Sequence, residues 1–317
     1  MGSTEERGGA DVNRSGFWND LKKYKIFLLM LTPAVIFYLL FAYIPMAGII
    51  IAFKRYDYAG GIFGSAWNGL DNFRFFFDSG NAWQVTRNTA LYNIAFIVVN
   101  NALQIFAAIL LFEVGGKWFR KIIQSSLFLP YFISWVVVGA IAYNLLNYDI
   151  GTVNAMLRGL GLEPVDIYNT PAYWPFLLVL VSAWKGLGYG TVMYLAAITS
   201  IDTEMYEAAE IDGANIFQRI LKVTIPNLYP TIIILVLLAV GNIFRGDFGM
   251  FYNMVGNNGV LFSSTDVIDT FVFRSLITSN DIGMSAAAGV FQSVLGFATI
   301  MTVNYAVRRY DKDRALF

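Results

Sequence analysis

In a 317-residue chain that is 57% hydrophobic, one short polar stretch could do intermolecular chemistry. It reads Glu207-Ala208-Ala209-Glu210-Ile211-Asp212-Gly213 and runs on to Val223-Thr224-Ile225-Pro226. Glu207 and Glu210 are three residues apart and share one side of a helix. Ala208 and Ala209 are helix formers with minimal side chains, so another surface can approach closely. Asp202 can cap the helix N-terminus, and Glu204 then sits in the first turn, where the helix dipole favours a carboxylate. Gly213 permits a left-handed stop. Ile216, Phe217, Ile220 and Leu221 follow at helical spacing, and Pro226 is expected to end that second helix and open the next apolar segment. An acidic side, a small-residue gap and a glycine hinge make a docking surface rather than a bond-making site.

The elements that hold this stretch are membrane helices. Only 14% of residues are charged, against roughly a quarter in soluble domains, so the bulk of the chain sits in lipid. The formal net charge is zero, which gives no electrostatic ground for a nucleic-acid partner. There is no Cys and no His. That removes thiol nucleophiles, imidazole bases, disulfides and nearly every zinc or haem site, so no catalytic residue, no metal site and no enzyme activity are expected. The first 25 residues are polar, and no cleavable signal peptide is evident.

Six windows free of charge, or broken only by Lys185, are long enough to span a bilayer, which takes about 20 apolar residues. They are 26–53, 88–112, 122–148, 167–201, 223–244 and 282–307. Backbone polar groups in hydrocarbon must be satisfied within each segment, so the fold class is an all-α membrane protein of six transmembrane helices. The organisation is a tail 1–25, a first transmembrane helix 26–53, an outer loop 54–87, a five-helix core 88–307 that includes the polar loop 202–226, and a tail 308–317. Within the outer loop, Phe75-Phe76-Phe77 suits a helix lying at headgroup level. Fourteen Lys and Arg residues fall on the side of the two tails and the polar loop, and seven on the other. The richer side is expected to be cytoplasmic, with both termini inside.

The spacing of Glu207-Ala208-Ala209, Gly213 and Val223-Thr224-Ile225-Pro226 resembles the EAA loop by which membrane subunits of ABC importers dock onto their ATPase. Residues 20–317, with Trp67-Asn68-Gly69-Leu70-Asp71-Asn72-Phe73 and the run from Ser264 to Arg274, are similar to permease subunits of carbohydrate-importing ABC transporters. The branch most resembled moves oligo- and polysaccharides, alginate permeases among them. The resemblance implies the ABC importer permease fold, with a coupling helix between the fourth and fifth spans. Its coupling residues would be Glu207, Ala208, Ala209, Asp212, Gly213 and Pro226. It implies a heterodimer with a second homologous permease, two ATPase subunits on the cytoplasmic side, an extracytoplasmic sugar-binding protein, and residence in the bacterial cytoplasmic membrane. The chain has no phosphate-cradling Gly-Lys-Ser/Thr loop, so ATP and Mg belong to the partner ATPase subunits and no cofactor is expected here.

Polar groups inside spans are costly and face a cavity or a partner. Asn100, Asn101, Gln104, Asn144, Lys185, Asn242, Arg245 and Gln292 are of this kind, and Trp135, Trp184, Tyr189 and Tyr194 could supply aromatic faces to sugar C–H surfaces. The competing readings are interhelical hydrogen bonding for the amides and packing or interfacial anchoring for the rings. Lys185 has no acid within its own span, and with Arg245 it points to an acidic, alginate-like oligosaccharide. The alternative is a six-helix channel or secondary transporter, which would want intramembrane carboxylates or an arginine series that the windows lack.

Overall fold

The computed structural model describes residues 23–114 and 116–310, so most of both tails lies outside the described residues. The chain divides into two compact units, residues 1–50 and 51–317. The described part of the first unit is a helix, Lys25–Tyr38, that carries Pro33 inside it, followed by a π turn Leu39–Tyr43. A 3-10 stretch, Ile44–Phe53, completes a helical run Lys25–Phe53 long and apolar enough to cross a membrane.

The second unit holds four more unbroken candidate spans, numbered here with Lys25–Phe53 as span one. They are span two Asn81–Glu113, span four Pro171–Thr199, span five Ile216–Val240 and span six Ile282–Arg309. Span three is broken. Lys117–Phe132 and Trp135–Leu146 meet at 93°, where the sequence predicts one helix over 122–148. The break has two local causes. Pro130 tightens the chain into a 3-10 turn at Leu129–Phe132, and Ser134 restarts the helix by accepting from the Val137 N–H at 3.4 Å. Span five departs from expectation in the opposite sense, because Pro226 does not end a helix. A π turn at Ile220–Thr224 precedes it, so Pro226 falls in the first turn of Ile225–Val240, where its missing N–H costs least.

Spans two and four pack on one another and on the first half of span three. Gly188 makes the last contact possible, since a Cβ there would lie 2.2 Å from the Leu127 carbonyl oxygen. The end of the bundle that carries the helix Thr203–Ile211 is called the near end below. At the far end, residues 241–281 fold into the helices Phe248–Val255 and Ile268–Ile277 joined by short turns. A buried Asp266 carboxylate pairs there with the Arg274 guanidinium, which also lies 3.9 Å from the Phe262 ring. The aromatic helix Asp71–Asp78 is anchored in protein as well as exposed. Phe76 is fully buried against Phe271 and Phe291, while Phe75 and Phe77 face outward. Among the described residues a single strand pair interrupts the helical pattern, Lys54–Arg55 with Ala66–Trp67. It closes over the buried Lys54 ammonium, which donates to the carbonyls of Ile62 and Phe63 at 3.0 and 2.7 Å.

Candidate coupling loop and central clefts

The helix Thr203–Ile211 begins where the Asp202 carboxylate accepts from the Glu204 N–H at 3.0 Å. It stops at Asp212 and Gly213, and Gly213 has φ +75°, a conformation glycine adopts without strain. Asn215 and Gln218 then cap the next helix reciprocally, at 3.0 and 2.8 Å. The Asn-x-x-Gln spacing is a signal the sequence reading passed over. Glu207, Ala208, Asp212 and Gly213 are exposed, and Ala209 is half-buried. Ile211 is 87% exposed and Phe217 73% exposed, so apolar side chains stand beside the carboxylates uncovered by any of the described residues. Pro226 lies more than two helical turns beyond Phe217, inside span five.

The acidic helix is fastened to the spans by residues no motif names. The Tyr206 hydroxyl and the Thr224 hydroxyl are 3.0 Å apart, and the Tyr206 ring lies 5.4 Å from that of Phe112. Arg219 pairs with Glu210 on the helix and with Glu113 at the near end of span two. Arg120 donates to the carbonyls of Phe112 and Val114, both at 3.0 Å, which satisfies the C-terminal carbonyls of span two.

Spans two, four and five enclose a cleft of about 490 Å³, walled by Asn100, Asn101, Gln104, Tyr189, Asn242 and Arg245 among others. A second cleft of about 570 Å³ lies between spans five and six and includes Gln292 and Asp269. Asn242 and Arg245 line both. Gln292 donates to the Phe244 carbonyl at 2.8 Å and to Asp269 at 2.9 Å. Asp269 also accepts from the Gly246 N–H at 2.6 Å. Burial pushes the Asp269 carboxyl pKa up, while those two hydrogen bonds and the Arg245 charge act in the opposite direction.

The remaining residues singled out in the sequence line neither cleft. Tyr194 is 0% exposed and donates to Asn101 at 2.5 Å, so it offers no ring to a pathway. Asn144 is exposed and donates to the Ala140 carbonyl of its own helix. Trp184 is 44% exposed, and Trp135 packs in the core beside span two and the helix Phe248–Val255. Among the described residues Lys185 pairs with no carboxylate. Its ammonium donates to three carbonyls at the break in span three, those of Pro130, Tyr131 and Ile133, at 3.2, 2.8 and 2.5 Å, and the Pro130 carbonyl also accepts from the Ile133 N–H at 3.2 Å. It also lies 5.2 Å from the Trp135 ring centroid. Tyr131 in turn stacks on Tyr189 at 5.0 Å, which links the break to the cleft wall.

In the second unit, four unbroken spans and one broken one, with polar clefts between spans and a capped acidic helix at one end, define a membrane transport permease rather than an enzyme. Residues 100–312 match the family model described as binding-protein-dependent transport system inner membrane component, and the chain belongs to that family. Among relatives, it is 33% identical over 293 residues to Protein LplB of Bacillus subtilis (strain 168), covering 92% of each. It is 31% identical over 293 residues to the polygalacturonan/rhamnogalacturonan transport system permease protein YteP of the same organism, covering 92% of this chain and 91% of that protein. Its structure is similar to a chain of a bacterial ABC transporter involved in the import of the acidic polysaccharide alginate, with a TM-score of 0.84 and 30% identity over 93% of this chain and 99% of that chain. A second alginate ABC transporter, in complex with an alginate pentasaccharide-bound periplasmic protein, gives a TM-score of 0.83 at 30% identity, over 93% of this chain and 98% of that chain. The chain is therefore a multi-pass permease of the ABC importer fold, which sets aside the channel and secondary-transporter readings.

Proposed function

We propose that this permease forms half of the translocation path for an acidic oligosaccharide and couples it to ATP hydrolysis through the acidic helix. The observation that carries the substrate reading is Arg245. It stands on the shared wall of the two clefts, and among the described residues it makes no ion pair within 4.0 Å. A uronate would gain a charge-assisted hydrogen bond there that a neutral sugar would not. The substrates named for two relatives, polygalacturonan/rhamnogalacturonan and alginate, agree with that chemistry. A binding protein outside the membrane delivers the sugar, and a second homologous permease supplies the other half of the path. One of two ATPase subunits docks on Glu207, Ala208, Ala209, Asp212 and the exposed Ile211 and Phe217, and the ATPase pair holds the ATP and Mg. Lys117, Arg120, Lys121, Arg219 and Lys222 cluster at the near end, which supports a cytoplasmic location for it.

The experiment is uptake into proteoliposomes carrying the assembled transporter and its binding protein. Uronate and neutral oligosaccharides of equal length are compared in the wild type and in Arg245→Gln. The expected result is loss of uronate uptake by roughly tenfold, the loss of one charge-assisted contact, with assembly intact. Equal uptake of both sugars by both proteins would remove the acidic-substrate reading.

A further inference from the structure

Span two presents polar groups on one side and a separate cavity on the other. Asn93 and Asn100 line the central cleft. Leu91 and Ala95 line a different cavity of about 460 Å³, closed by Pro175 and Val179 of span four and by Ser263 at the far end. At about 100° per residue, 91 and 95 lie roughly half a turn from 93 and 100, so this cavity faces away from the central cleft. Its surroundings are those of a lipid-facing surface, since Leu91, Phe176 and Leu180 are 58%, 78% and 65% exposed.

The cavity is built rather than incidental. Buried Asn88 donates to the carbonyls of Ser263 and Asp266 at 3.3 and 3.0 Å. The Tyr92 hydroxyl donates to the Ser264 carbonyl at 2.9 Å. These bonds fix the roof against span two. On the rim, the exposed Arg87 guanidinium donates to the Asn88 side-chain oxygen at 3.2 Å, and among the described residues it has no carboxylate within ion-pair distance. A cation therefore stands at membrane-surface level above apolar walls that reach about 12 Å deeper along the helix, at the usual rise per residue.

We propose that this cavity binds one anionic glycerophospholipid from the leaflet at the far end. Its phosphate sits on Arg87, whose planar fork matches phosphate oxygens. The upper part of an acyl chain runs along Leu91, Ala95 and Val179, where its removal from bulk lipid is offset by packing rather than by any hydrophobic gain. Charge complementarity favours a lipid that carries no ammonium to compete with Arg87.

The test uses the assembled transporter in nanodiscs of mixed phosphatidylglycerol and phosphatidylcholine, with lipid retained after mild detergent extraction counted by native mass spectrometry. The wild type should retain phosphatidylglycerol in preference to phosphatidylcholine. Arg87→Gln should lower that preference about fivefold, the usual effect of one cation at a lipid surface. Val179→Trp, which fills the cavity without touching the cation, should lower retention of both lipids. Equal retention by wild type and Arg87→Gln overturns the proposal. So does displacement of the lipid by excess inorganic phosphate, which would make this a soluble-anion site. Failure of Val179→Trp to assemble with the partner permease, with Arg87→Gln unchanged in lipid preference, would make the cavity a protein interface and also overturn it.

Discussion

Arg219 reaches Glu113 across the near end of the molecule, with Nη2 at 3.4 Å from Oε2 and both side chains less than one-fifth exposed. Its other terminal nitrogen holds Glu210 of the acidic helix. One guanidinium therefore ties the proposed docking surface to the span that walls the central cleft. A displacement of the acidic helix must move span two or break this link.

Arg219→Ala should cost about 2–3 kcal/mol locally, since it leaves a mostly buried carboxylate without its partner and the exposed half of the network contributes little. The expected readout is ATP hydrolysis that no longer responds to the loaded binding protein. The charge swap Glu113→Arg with Arg219→Glu should restore part of that response. No change in stimulation in the single variant would show that the link carries no motion.

Gly213 has open space around a would-be Cβ, so its constraint is conformational alone. Gly213→Val at φ +75° should cost about 1–2 kcal/mol and shift the turn, whereas Gly213→Asn, which tolerates left-handed backbone, should be mild. Glu207→Lys should reverse the exposed charge without disturbing the fold. Val and Lys variants are expected to insert normally and to lose substrate-stimulated ATPase activity. Normal stimulation in both would remove the docking assignment.

Lys185 is engaged by three carbonyls, which shifts the expectation for it from substrate recognition to holding the break in span three. Lys185→Met should lower stability by about 2 kcal/mol, because carbonyls at the break lose a charged donor. Its effect on uptake should be the same for uronate and neutral oligosaccharides. A selective loss of uronate uptake with an unchanged melting temperature would return Lys185 to the pathway.

Asp269 gives a pH signature. Its folded-state pKa is raised above the ordinary 3.8, chiefly by burial, so its ionisation opposes folding. Folding therefore gains as pH falls through the folded-state value and loses above it. In Asp269→Asn the amide oxygen can still accept from Gly246 and Gln292 without the charge. The variant should melt higher than wild type at neutral pH, and the gap should close as pH falls towards 3.8. A gap independent of pH would mean that Asp269 does not titrate with folding.

Because the chain contains no Cys, orientation can be read from single introduced thiols. Ser279→Cys, exposed at the far end, should react with an impermeant maleimide in intact cells, and Ser3→Cys should not. The reverse pattern would invert the proposed topology.

The helices were legible because charge-free windows of this length have few other solutions, and the acidic helix because Asp202, the alanines and Gly213 act locally. What escaped depended on tertiary partners. Pro130 signalled a disturbance, but only Lys185, 55 residues on, shows that the carbonyls at the break find a charged donor. Pro226 misled because the π turn before it places it in the first turn of Ile225–Val240, where its missing N–H costs least. Tyr194 and Tyr189 lie on one helix, five residues apart, yet one is sealed in the core and the other half exposed. The Arg219 link joins residues 106 apart, and no spacing rule reaches that far.

The π turn at Ile220–Thr224 has a consequence for phase. A π turn is one residue inserted into an α-helix, and one residue is about 100° of rotation. Everything that precedes it, including Arg219 and the acidic helix, is therefore aimed about a quarter-turn away from where an uninterrupted span five would point it. Deleting a single residue between 220 and 224 would leave the composition, the hydropathy and the EAA spacing up to Gly213 almost untouched. It would nonetheless swing Arg219 off Glu113 and turn the carboxylates of the docking surface to a new bearing. The insertion sets the compass heading of the proposed coupling loop.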